Sequence, residues 1–95
     1  MTYILSRKAE GDIIDIYIDG FKRFGLQQAD TYYEQLEQAF IFLSNNPEAA
    51  RLRYEIKPAV RIHPFKSHII IYSIEENNAV FVIRVRHSRE DWLCL

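Results

Sequence analysis

Basic side chains gather in the last third of this 95-residue chain, where Arg61, Lys66, Arg84, Arg86 and Arg89 stand among His63, His68 and His87. A guanidinium holds carboxylate or phosphate in a planar fork, and an imidazole exchanges protons near neutral pH. Arg61, Arg84 and Arg86 could hold phosphate, and His87 could act as acid or base. Arg84, Arg86 and Arg89, with Trp92 close behind, would serve equally as a surface for an anionic partner with an aromatic anchor. Other groups have plainer roles. A histidine at a strand end, such as His87, commonly bonds backbone, and Tyr72 reads as sheet packing with its hydroxyl at the rim. His63 and His68 flank a turn without ligand-type neighbours at metal spacing, so neither a metal site nor a cofactor is expected. Asp12, Asp15 and Asp19 read as one solvated helix face.

The elements that must position these groups follow from periodicity. Val60–Phe65, His68–Ile74 and Ala79–Val85 are rich in Ile, Val, Tyr and Phe and read as three strands of an antiparallel meander. Lys66-Ser67 and Glu75–Asn78 are the turns between them. Upstream, Thr2–Leu5 is long enough for an edge strand, and Ser6 can cap a helix. That helix carries Ala9, Ile13, Ile16, Tyr17 and Phe24 on one stripe, widened by Ile14, Ile18 and Phe21, and stops at Gly25. Gly20 within it marks a close helix contact or a bend. A second helix runs from about Leu26 to Leu43 and ends at Ser44-Asn45-Asn46-Pro47. So short a link makes the two helices an antiparallel hairpin. Glu48–Pro58 reads as a polar connection. The order is strand, helix, helix, three strands: an α+β domain of two layers, a helix hairpin on a small antiparallel sheet. In the last strand Ala79, Phe81, Ile83 and Val85 share one face, expected to meet the helices. Val80, Val82, Arg84 and Arg86 share the other, left open and cationic at one end.

Composition narrows the class. An apolar share of 48% is ample for one core and argues against disorder. No window is apolar enough to span a membrane, and the first residues turn charged too soon for a signal peptide. With one cysteine, Cys94, an internal disulfide is ruled out and a cytoplasmic setting is expected. The net charge is −1, so the whole molecule has no strong field to gather nucleic acid, and direct sequence-specific binding to it is not expected. The charge is nonetheless polarised. Residues 1–50 carry four Lys/Arg against eight Asp/Glu, whereas residues 51–95 carry eight against five.

Five motifs, in order along nearly the whole chain, resemble the RelE/ParE toxins of bacterial type II toxin–antitoxin systems, and the ParE branch in particular. They are S-x-x-A-x-x-D-I-x-x-I at Ser6–Ile16, F-G-x-x-x-A at Phe24–Ala29, L-x-x-N-P at Leu43–Pro47, R-I-x-P-F-x-S-H-I-I-I-Y at Arg61–Tyr72, and I-R-V-R-H-S-R-x-D at Ile83–Asp91. The resemblance implies the RelE/ParE-like fold and a cytoplasmic toxin, associated with plasmid stabilisation. A co-expressed antitoxin, ParD-like or similar, would neutralise it by laying a helix and an extended segment across it, in an assembly that can be of higher order. ParE-like proteins poison DNA gyrase by trapping its cleavage complex, which asks for binding and not for chemistry by the toxin. The target- and partner-binding residues expected on this reading are Arg61, Tyr72, Arg84, Arg86, Arg89 and Trp92, with the tail after His87 as the effector region. RelE-like proteins are instead ribosome-dependent messenger-RNA endoribonucleases. That alternative would use Arg61, Arg84 and His87, but the lysine-rich segment of RelE is thinned here to Arg51, Arg53 and Lys57. A non-toxic member acting only as a regulatory partner of its antitoxin is the third reading.

Overall fold

The computed structural model describes residues 2–89. After strand β1 (Tyr3–Leu5), helix α1 spans Arg7–Phe24. Ser6 starts it: its hydroxyl oxygen accepts from the Ala9 amide at 2.9 Å and donates to the Ile83 carbonyl at 2.6 Å, so the cap also ties the helix to the sheet. Gly25 ends α1 with φ +91°, a conformation that side chains resist, and α2 (Leu26–Asn45) begins at the next residue. One residue between helices enforces the antiparallel hairpin. Asn46 then closes α2, its side-chain amide donating to the Phe42 carbonyl at 3.0 Å ahead of Pro47.

Four strands follow: β2 (Leu52–Arg53), β3 (Val60–Phe65), β4 (His68–Ile74) and β5 (Val80–His87), in a five-stranded sheet ordered β1-β5-β4-β3-β2. The α+β architecture with its helix hairpin is the expected one, and β3 and β4 keep the expected bounds. The sheet, however, is mixed and has one strand more. β1 pairs parallel to β5, Tyr3 opposite Val80 and Leu5 opposite Val82. Apolar alternation is the same for either direction of pairing, so the pattern alone could not decide it. β2 is a two-residue pairing of Leu52 with Arg61 and Arg53 with Val60, too short to give a periodic signal.

The faces of β5 also depart from strict alternation: Val85 keeps its expected place under the helices, but Val80 and Val82 lie there too and Ile83 does not. Val80, Val82 and Val85 join Ala9, Ile13, Leu36, Phe40, Leu43, Ile70 and Tyr72 in the core under the helices. Ile83 packs on the opposite side with Ile56, Val60, Ile69 and Ile71. The cause is an irregularity at Ile71/Tyr72: Ile71 lies opposite Arg84 and Tyr72 opposite Val82, so Ile83 is the extra residue of a bulge. A bulge shifts the parity of everything beyond it. Nor is the outer sheet face fully open, because Ile56, 6% exposed, folds onto it from the connection before β3.

Candidate functional site

The predicted site residues fall into two groups at different places on the sheet. The first surrounds Tyr72, which is fully buried. Its hydroxyl donates to the Pro47 carbonyl at 2.8 Å and accepts from the Ala50 amide at 3.3 Å. Arg61, opposite Tyr72 on β3, donates through Nη1 to the Ala50 carbonyl at 2.6 Å. Together they hold the chain where it leaves α2. Burial pushes the Tyr72 phenol above its ordinary value of 10.0, against the smaller opposing pull of the Ala50 hydrogen bond and the Arg61 charge. The structure thus places Tyr72 in the interior and engages Arg61 with backbone.

The second group is at the far end of β5. Arg84 grips Asp12 of α1 with both arms of its fork, Nε at 2.7 Å and a terminal nitrogen at 2.9 Å, and the Val85 amide donates to the same carboxylate at 3.1 Å. Arg86 comes within 4.0 Å of it. Asp12 is therefore not one more solvated carboxylate. Its side chain is 12% exposed, where it satisfies the edge of β5 beyond the reach of β1 and draws two arginines together. The sequence did hold a signal: Asp12 lies three residues after Ala9 and four before Ile16, on the border of the buried stripe, unlike Asp15 and Asp19. Asp15 and Asp19 are exposed as expected.

Beyond Arg86 the His87 ring meets His68 edge to face, centroids 5.3 Å apart. His68 Nδ1 shares a 2.6 Å hydrogen bond with the Tyr32 hydroxyl, and His87 Nδ1 accepts from the Arg89 amide at 3.2 Å. Burial pushes the Tyr32 phenol up as well. Tyr32, on α2, carries no chemical signal in the sequence, where its helical spacing marks only a hairpin contact. A cleft of about 470 Å³ leads from this polar end up between the helices, walled by Ile16, Ala29 and Leu36. At its top Gly20 and Ala29 bring the helices together, with 3.8 Å between Ala29 Cβ and the position a Cβ would take at Gly20. Trp92 lies outside the described residues. No group of three or more His, Cys, Asp or Glu able to hold a metal occurs among the described residues.

Arg61 and His87 do not converge. Their partners on β4 are Tyr72 and His68. Four residues of strand are about 13 Å and two strand spacings about 9.5 Å, which puts the two residues roughly 16 Å apart. Arg84 lies between them but points to Asp12.

The five motifs thus map onto one set of internal fastenings: the Ser6 cap and Asp12 clamp, the Gly25 turn, the Asn46-Pro47 stop, and the Arg61–Tyr72 lock. A family model described as the ParE toxin of the type II toxin–antitoxin system parDE matches residues 3–92. The chain belongs to the ParE toxin family. Among its ParE relatives, Toxin ParE1 of Mycobacterium tuberculosis, in strains CDC 1551 and H37Rv, is 32% identical over 89 residues, covering 94% of this chain and 91% of the relative. Toxin ParE1 of Caulobacter vibrioides is 28% identical over 86 residues, covering 90% and 88%. A solved structure described as a chromosomal ParDE TA system from P. aeruginosa shares the fold, with a TM-score of 0.77 over 92% of this chain and 95% of that one at 20% identity. No described helix of this ParE member is long and apolar enough to cross a membrane.

Proposed function

We propose that this ParE family member inhibits DNA gyrase in the cytoplasm by trapping its cleavage complex, and that it acts by binding, without chemistry of its own. The observation that carries the reading is the dispersal of the would-be catalytic groups. Arg61 is engaged with the Ala50 carbonyl, Arg84 with Asp12, and His87 lies roughly 16 Å from Arg61. General acid–base work on one phosphate needs those groups within hydrogen-bonding reach of it. The surface offered to a target is the cationic end of β5, where Arg86, beside Asp12, is half-buried and Arg89 is exposed, together with the tail that carries Trp92. A cognate antitoxin of the ParD type is the second partner, in keeping with the parDE pair for which the family is described. Apolar side chains left at the surface, Ile41, Phe42 and Tyr54 among them, are what such a partner would cover.

The test is a plasmid assay with purified gyrase, ATP and this protein. Accumulation of linear, protein-linked DNA with loss of supercoiling is expected, and pre-mixing with the antitoxin should suppress it. His87→Ala should leave the effect intact. No change at micromolar folded protein, together with messenger cleavage on ribosomes that His87→Ala removes, would replace this reading with the endoribonuclease one.

A further inference from the structure

Helix α1 is apolar on the side turned away from the sheet as well as on the side turned towards it. Ile14, Ile18 and Phe21 are 57%, 44% and 50% exposed, and helical geometry places them within an arc of about 60°. The outward side of α2 behaves differently, presenting Gln27, Asp30, Glu34, Glu37 and Gln38, all exposed. α2 exposes Ile41 and Phe42 near its C-terminal end, whereas on α1 the exposed apolar residues form a continuous stripe through the middle of the helix that is not needed to pack the hairpin.

The charges beside the stripe indicate what fits it. Asp15 and Lys22 are seven residues apart and so lie on the same flank, within about 20° of each other. When two copies of one helix pack antiparallel about a two-fold axis, like flanks meet. With the axis at Ile18, that residue meets its own copy, and Ile14 lies beside Phe21 of the second copy. Asp15 then reaches Lys22 of the second copy, a pair formed twice by the symmetry. Gly11, where an added Cβ would meet nothing within 4 Å, faces Gly25 of the second copy, so no side chain holds the ends apart. A parallel pairing would set the Asp15 flank against the one carrying Glu10 and Tyr17, with no ion pair. We propose that this face of α1 is a self-association surface, at which two copies of the chain pair antiparallel around Ile18. The stripe offers roughly 300–400 Å² per copy, below the ~800 Å² of a stable interface, so the dimer is reversible and concentration-dependent.

Two experiments on the full chain test this. In sedimentation velocity from about 10 µM to about 1 mM, the wild-type protein should move from monomer towards dimer. Asp15→Lys and Lys22→Asp should each weaken association by roughly fivefold, and the double variant should restore it. In a Cys94→Ser background, Ile18→Cys should oxidise to a disulfide dimer, because helices about 10 Å apart bring Cα atoms on the axis to about 5.5 Å. Ile14→Cys in the same background should not, since its two copies are about 12 Å apart along the helices. A sedimentation coefficient independent of concentration, equal cross-linking at 14 and 18, or failure of the double charge reversal to restore association would each overturn the proposal. So would a wild-type chain that stays monomeric while Ile18→Glu abolishes antitoxin binding, which would give the stripe to the antitoxin.

Discussion

Replacing Tyr72 by Phe removes a single oxygen from the middle of the molecule and tests whether the Arg61–Tyr72 pair holds the chain behind α2. The ring is fully buried and its shape is kept, so no cavity opens and the apolar contribution is unchanged. What is lost is the bond donated to the Pro47 carbonyl at 2.8 Å and the longer one accepted from the Ala50 amide at 3.3 Å. A net intramolecular hydrogen bond contributes about 0.5–1.5 kcal/mol, and a buried group left unpaired costs about 1–3 kcal/mol. Pro47 and Ala50 are only half-buried, so water can reach them in part, and the sum falls at about 1–2.5 kcal/mol. For a chain of this size that lowers Tm by roughly 5–15 °C. Urea unfolding should show a reduced midpoint with an unchanged slope, since the area exposed on unfolding is the same. Arg61→Met should couple to Tyr72→Phe by about 0.5 kcal/mol or more, because both side chains hold Ala50. The raised phenol adds a second readout. A folded pKa above the unfolded 10.0 means stability present below pH 10 and lost as pH rises through the folded value, and Phe at this position removes that loss. A cost below about 0.3 kcal/mol with strictly additive behaviour would refute the lock.

Three further outcomes follow from the same geometry. Asp12→Ala leaves Arg84 and the Val85 amide without their shared carboxylate and should cost about 2–4 kcal/mol, the lower part of the range for buried pairs because both side chains keep some exposure; Arg84→Met in the same chain should recover part of it in urea melts. Gly20→Ala places its methyl at an ordinary 3.8 Å from Ala29 Cβ and should stabilise by about 0.5–1 kcal/mol through helix propensity, read from the same melts. Burial beside Phe42 holds the His63 imidazole below its ordinary 6.5, so the unfolded chain takes up the proton first. Stability should be complete above pH 6.5 and fall as pH drops below it, and His63→Gln should flatten that part of the urea-midpoint profile between pH 7.5 and 5.5.

The sequence by itself determined the element types and most of their bounds. Period, caps and breakers are local properties: the Ser6 hydroxyl accepts from the Ala9 amide, Gly25 takes a positive φ and Pro47 restricts the residue before it. Its motifs also determined the family. Pairing direction, strand parity and the role of Asp12 were decided only in three dimensions. A parallel β1 and an antiparallel one bury the same alternation. The bulge at Ile83 depends on what lies opposite, and it brings Val80 and Val82 onto the same face as Val85 without any mark in the residue types. Asp12, Arg61 and Tyr72 look like surface chemistry because their kinds are polar, yet Asp12 meets Arg84 across 72 positions and Tyr72 meets Pro47 across 25. Partners that distant in sequence are brought together only by the closed fold, and it is they that turn these polar residues into internal fastenings.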